Sequence, residues 1–187
     1  PGIDTEHFAP IDSSSLRDSL GLGEKKVIVS VGRLVHRKGQ DRLIESMRAI
    51  VQEVPTAHLL LIGEGPYRQH LQALVRKYAL DDHISFIGRI QYADLPQYIC
   101  IGEIFAMPSR SRFFGLEVEG LGIVYLEASA CGLPVIAGAS GGAPDAVIDG
   151  TTGVVVDGLD NAAIAVAAIN LLNNPTQARL MGQAGRS

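Results

Sequence analysis

The sequence predicts an α/β domain, a doubly wound, Rossmann-like parallel sheet of six strands. Three observations carry that prediction. Short β-branched runs alternate with helical stretches of ~10–15 residues, the pattern of βαβ units. The runs are continuously apolar, as strands are when helices cover both faces. Glycines fall where the runs end. The chain has 21 glycines in 187 residues, above a usual ~7%, and they follow no repeat.

The elements follow in order. Residues 1–24 are rich in turn formers (Pro1-Gly2, Pro10, Ser13-Ser14-Ser15) and read as a linker into a domain over 25–187. Lys26 to Val31 is the first strand, ended by Gly32. Gln40 to Val54 places Leu43, Ile44, Met47, Ile50, Val51 and Val54 at helical spacing before Pro55. His58 to Ile62 is the second strand, closed by Gly63-Glu64-Gly65-Pro66. Tyr67 to Tyr78 is helical, and Ile84 to Ile87 is a third strand ended by Gly88. A short helix over Asp94 to Ile101 leads to a fourth strand, Ile104 to Met107. Ile123 to Cys131 is a helix stopped by Gly132 and Pro134. Pro134 to Ala137 and Gly153 to Val156 complete the sheet, and helices over Asn161 to Asn173 and Pro175 to Ala184 close the chain.

Composition excludes several classes. At 47% hydrophobic residues the chain is too apolar for intrinsic disorder. No apolar run approaches the ~18 residues of a membrane span. A net charge of −4 does not suit a general nucleic-acid binder. Cys100 and Cys131 sit in apolar surroundings without CxxC spacing and read as reduced thiols of a cytosolic protein. The five histidines lack HxH or HExxH spacing, so no metal site is expected. The chain opens without Met and stops within a helical pattern, which reads as part of a longer protein.

Parallel α/β sheets bind ligands at the carboxyl ends of their strands, so the strand-end loops are the places to look. After the first strand come Gly32, Arg33, Arg37, Lys38 and Gly39. Helix N-termini favour anions, and Arg33 and Lys38 would add charge-assisted contacts to a phosphate. The loop is neither GxxxxGK[ST] nor GxGxxG, and a solvated basic loop remains the alternative. The turn at Gly63 reads as a tight strand-to-helix connection. Backbone near Ile90 could meet a planar base, with Arg89 as a surface residue.

The segment after the fourth strand is the most unusual. Gly120 and Gly122 precede a helix with no side-chain cap, so the N–H groups of Leu121, Gly122, Ile123 and Val124 are available to ligand oxygens. Glu119 precedes this turn and Glu127 follows eight residues later. Eight helical residues advance ~800°, which returns Glu127 toward the same side over ~12 Å. Two carboxylates so spaced suit the hydroxyls of an extended ligand. A glycosidase would need its carboxyls ~5–10 Å apart, and that reading leaves the cations unexplained.

Taken in order, these motifs resemble the C-terminal, donor-binding half of GT-B retaining glycosyltransferases of the family-4 group. Glu119-Gly-Leu-Gly-Ile-Val-Tyr-Leu-Glu127 is similar to that family's E-x7-E signature, and Val31-Gly32-Arg33, Lys38-Gly39 and Cys131-Gly-Leu-Pro-Val135 also fit. The longer segment from Ser111 to Val118 resembles actinobacterial mannosyltransferases that build phosphatidylinositol mannosides. The resemblance implies GDP-mannose as donor, a lipid-linked inositol acceptor and action at the cytoplasmic face of the plasma membrane as a peripheral protein. It implies catalytic roles for Arg33 and Lys38 at the donor diphosphate and for Glu119 at the transferred sugar. It implies donor binding by Gly32, Gly63, Ile90, Gly120, Leu121, Gly122, Ile123, Val124 and Glu127, the last at the ribose hydroxyls. The sequence has no D-x-D, so no metal or other cofactor is expected. The acceptor would be held by an N-terminal domain absent from this chain, and the fragment alone is expected to bind donor without transferring sugar. The alternatives are another donor, such as UDP-glucose or UDP-N-acetylglucosamine, and a non-catalytic nucleotide-binding module on the same fold.

Overall fold

The structure, a computed structural model, describes residues 2–111 and 122–187. Six parallel strands form one sheet: β1 (Lys26–Val31), β2 (Ala57–Ile62), β3 (Ile84–Gly88), β4 (Ile104–Met107), β5 (Val135–Gly138) and β6 (Gly153–Val156). Their spatial order is β3-β2-β1-β4-β5-β6. Chain order reverses between β1 and β4, and that crevice is where doubly wound sheets take their ligands.

Alternate residues of the strands feed two apolar layers. Ile28, Leu59, Leu61, Ile104 and Ile136 face α2 (Gln40–Glu53), α3 (Arg68–Lys77) and α6 (Asn161–Asn173). Val27, Val29, Leu60, Phe105 and Val135 face the other way, toward α4 (Leu95–Ile99) and α5 (Ile123–Ala130). The last helix, α7 (Pro175–Arg186), packs against α5, α6 and β6.

The lead-in segment is packed onto this frame. It contains a helix, α1 (Ser14–Ser19), that the sequence reading did not anticipate. Phe8 and Leu22 are fully buried, and the Arg17 guanidinium donates to the carbonyls of Gly23, Lys25 and Ile101 and pairs with Glu103. α1 has no buried residue of its own, so no apolar stripe marks it in the sequence.

Candidate functional site

Close backbone approaches shape the carboxyl edge of the sheet. The Gly32 amide donates to the Ile62 carbonyl (3.0 Å), and the Gly63 amide donates to the Gly88 carbonyl (2.7 Å). A Cβ on Gly63 would lie 2.1 Å from the Gly32 oxygen, and φ there is +131°. Gly63 is therefore needed to bring these strand ends together, as its reading as a tight turn anticipated.

From Gly32 the chain runs through Arg33, which is exposed, into a single 3₁₀ turn, His36–Lys38, that ends on left-handed Gly39. The stem of Lys38 lies over Gly32, with its Cε 3.7 Å from the point a Cβ would occupy. Gly39 also begins α2, and its own Cβ would fall 1.9 Å from the Pro108 carbonyl oxygen. The basic loop thus presses directly on the segment leaving β4.

That segment, Pro108 to Arg110, is hemmed in from the other side too. A Cβ on Gly138 would lie 1.9 Å from the Ser109 oxygen. The buried Tyr125 hydroxyl donates to the Met107 carbonyl (2.8 Å) and bonds Ser109 Oγ (2.9 Å), tying α5 to the end of β4. Gly122 starts α5 in the left-handed region (φ 63°) and contributes no side-chain cap. A Cβ on it would strike the Tyr125 ring at 2.4 Å. Ile123 is exposed, and Val124 and Glu127 are partly buried along α5.

Burial raises the Glu127 carboxyl above its ordinary range, and His7 opposes that shift electrostatically. His7 comes from the lead-in segment. It bonds the Tyr92 carbonyl through Nε2 (3.0 Å) and stacks on the Tyr92 ring. Tyr92 follows Ile90 in the loop after β3, so His7 ties the lead-in segment to the loop expected to meet the base.

The structure therefore places Gly32, Arg33, Lys38, Gly63 and Ile90 just beyond the carboxyl ends of β1 to β3, Gly122, Ile123 and Val124 at the start of α5, and Glu127 in the second turn of that helix. Glu119, Gly120 and Leu121 lie outside the described residues. The sequence reading missed His7, Asp41 and Arg110. Arg110 is only 4% exposed. Its Nη2 donates to Asp41 Oδ2 (2.7 Å), its Nε to His36 Nδ1 (3.4 Å), and its backbone amide to the Arg37 carbonyl (2.8 Å). The signal for Asp41 in the sequence is an acid in the first turn of α2, a position that the helix dipole favours by itself.

Edge glycines, a basic loop and a helix start without a side-chain cap lie beside the switch point of the sheet, and the whole chain was compared with known proteins. The chain is 48% identical over its whole length to a GDP-mannose-dependent α-(1-6)-phosphatidylinositol monomannoside mannosyltransferase of Mycolicibacterium smegmatis, covering 49% of that protein. It is 44% identical to the corresponding enzyme for the monoacylated lipid from Corynebacterium glutamicum, again covering 49%. The chain thus spans about half the length of the curated relatives it matches. Sucrose-phosphate synthase from Thermosynechococcus elongatus superposes with a TM-score of 0.83 at 34% identity, over 99% of this chain and 45% of that one. The family model for glycosyl transferases group 1 matches residues 12–187, and the chain belongs to that family.

Proposed function

We propose that this chain is the donor-binding part of a retaining mannosyltransferase that moves mannose from GDP-mannose to a phosphatidylinositol mannoside. The observation that carries the reading is the meeting of the Lys38 loop with the segment leaving β4 at the sheet's switch point. A nucleoside diphosphate there would lie between fixed cations and the start of α5. Cleavage of the sugar–phosphate bond builds negative charge on the departing diphosphate. Arg33, Lys38 and the N-terminal amides of α5 stabilise that charge most as it develops. Glu127 accepts hydrogen bonds from the ribose hydroxyls, backbone near Ile90 holds the base, and Glu119 approaches the transferred sugar.

Arg33 and Lys38 supply the positive charge for which other sugar-nucleotide enzymes use a divalent ion, so turnover persists in excess EDTA. The lipid acceptor meets the enzyme at the cytoplasmic face of the plasma membrane through a domain beyond this chain. Among the described residues no helix is long and apolar enough to cross a membrane. Calorimetric titration of the full-length protein with GDP-mannose and UDP-glucose tests the donor. GDP-mannose binds more tightly on this reading, and a preference for UDP-glucose overturns it.

A further inference from the structure

We propose that Arg110 and Asp41 are positioning residues, a buried brace that sets the basic loop so that its cations reach the donor diphosphate. The proposal rests on the diphosphate reading above and adds the means by which the loop is held. An ion pair this deep is a poor device for stability alone. Removing two charges from water costs several kcal/mol per ion, and apolar side chains of similar volume often serve as well. This pair is also incompletely satisfied, since Arg110 Nη1 and Asp41 Oδ1 are buried without a hydrogen-bond partner.

What distinguishes the pair is where it reaches. One residue, Arg110, holds the basic loop at two places and the first turn of α2 that follows it at a third. Its amide holds the Arg37 carbonyl, its Nε holds His36, and its Nη2 holds Asp41, two residues beyond Gly39. Lys38 lies between these grips. The loop is one 3₁₀ turn with no side-chain cap, and the hydrogen bonds of such a turn are poorer in geometry than those of an α-helix. Gly39 lets it approach the Pro108 carbonyl, but close packing alone does not fix the rotation of the turn. The directional bonds of Arg110 do, because its planar guanidinium presents donors in a fixed fork.

The test uses the full-length enzyme carrying the paired replacement Asp41→Leu/Arg110→Met. It removes both charges together, so neither is left buried alone. GDP and guanosine are titrated by calorimetry, and melting is followed in parallel. The brace predicts a melting temperature within a few degrees of the parent, GDP affinity reduced ~10-fold or more, and guanosine affinity unchanged. Asp41→Asn and Arg110→Lys keep part of the geometry and should fall between. A paired variant that binds GDP like the parent overturns the proposal. So does one that loses GDP and guanosine affinity equally, which marks a general structural role. Lys38→Ala and Arg33→Ala are the controls. If both leave GDP affinity unchanged, the diphosphate reading fails instead.

Discussion

At the scale of single residues, His58 shows how burial converts directly into pH dependence. It is 3% exposed on β2, with Nδ1 facing Lys25 Nζ at 3.3 Å and Nε2 facing Ser85 Oγ at 2.9 Å. Lysine can only donate, so Nδ1 accepts and the proton sits on Nε2, donated to Ser85. Burial, then the Lys25 charge, depress the imidazole from 6.5 to about 4. The unfolded chain therefore takes up a proton that the folded one refuses as pH falls from ~6.5 to ~4, and stability drops across that window. The loss is on the order of 1–3 kcal/mol, since one pKa unit is ~1.4 kcal/mol. Urea unfolding at pH 7.5 and 4.5 should show a smaller difference for His58→Gln than for the parent, and an equal difference would exclude this histidine as the cause. Glu127 makes a second case. Burial raises its carboxyl, so the folded state holds a proton slightly longer, and its contribution to stability falls as pH rises through that raised value. Its proposed work is to bind ribose hydroxyls, so Glu127→Ala should weaken GDP ~10-fold or more, the scale of a hydrogen bond to a charged group. The isosteric Glu127→Gln should lose less. Unchanged affinity in both variants would remove Glu127 from the ribose site.

At the scale of elements, helix ends are where sequence spoke most clearly. α5 stops in a Schellman motif, with the Leu133 amide donating to Ala128 O (3.1 Å) and the Gly132 amide to Ser129 O (2.8 Å). Gly132 takes the left-handed turn at φ +84°, which is why the sequence showed the stop. α3 ends with the same pair of bonds, from Leu80 to Val75 and from Ala79 to Arg76. Here Ala79 occupies the left-handed position at φ +52°, so the sequence carried no glycine to mark it. An alanine there bears a steric cost of ~1–2 kcal/mol that glycine avoids, partly offset by the greater freedom of unfolded glycine. Ala79 is exposed, so loss of its methyl group costs little packing. Ala79→Gly should raise stability by ~0.5–1 kcal/mol in denaturant unfolding, and a fall would mean the left-handed strain is relieved some other way. α1 uses this motif too, through Gly21 and Leu22. None of its six residues is fully buried, although Leu16 packs against the core, so no periodic signal exposed it, and its packing depends on Phe8, Leu22 and the carbonyls that Arg17 collects.

At the scale of the whole molecule, the sheet was legible because parallel strands covered on both faces must be apolar throughout. Glycines at the ends of β1, β2, β3 and β5 also marked where those strands stop. Gly32, Lys38, Gly63 and Gly122 stood out as candidates because backbone geometry or fixed charge constrains the residue type at those positions. Asp41 and Arg110 could not, because their partnership spans 69 positions of sequence and exists only once β4 lies beside β1. His7 was hidden for a related reason, since its neighbours Tyr92 and Glu127 come from two distant elements. The same geometry bears on what this chain can do alone. It carries the two apolar layers of a doubly wound domain, and the donor contacts proposed above are all residues of this chain. No residue has been placed here to hold an acceptor, and the chain covers about half of its mannosyltransferase relatives. We therefore expect the 187-residue chain, expressed alone, to unfold cooperatively and to bind GDP-mannose. It should show no mannosyl transfer when incubated with GDP-[¹⁴C]mannose and phosphatidylinositol mannoside vesicles. Transfer by the isolated chain would place an acceptor site on these residues. Absence of GDP-mannose binding by the folded chain would mean that the donor site also requires groups from outside it.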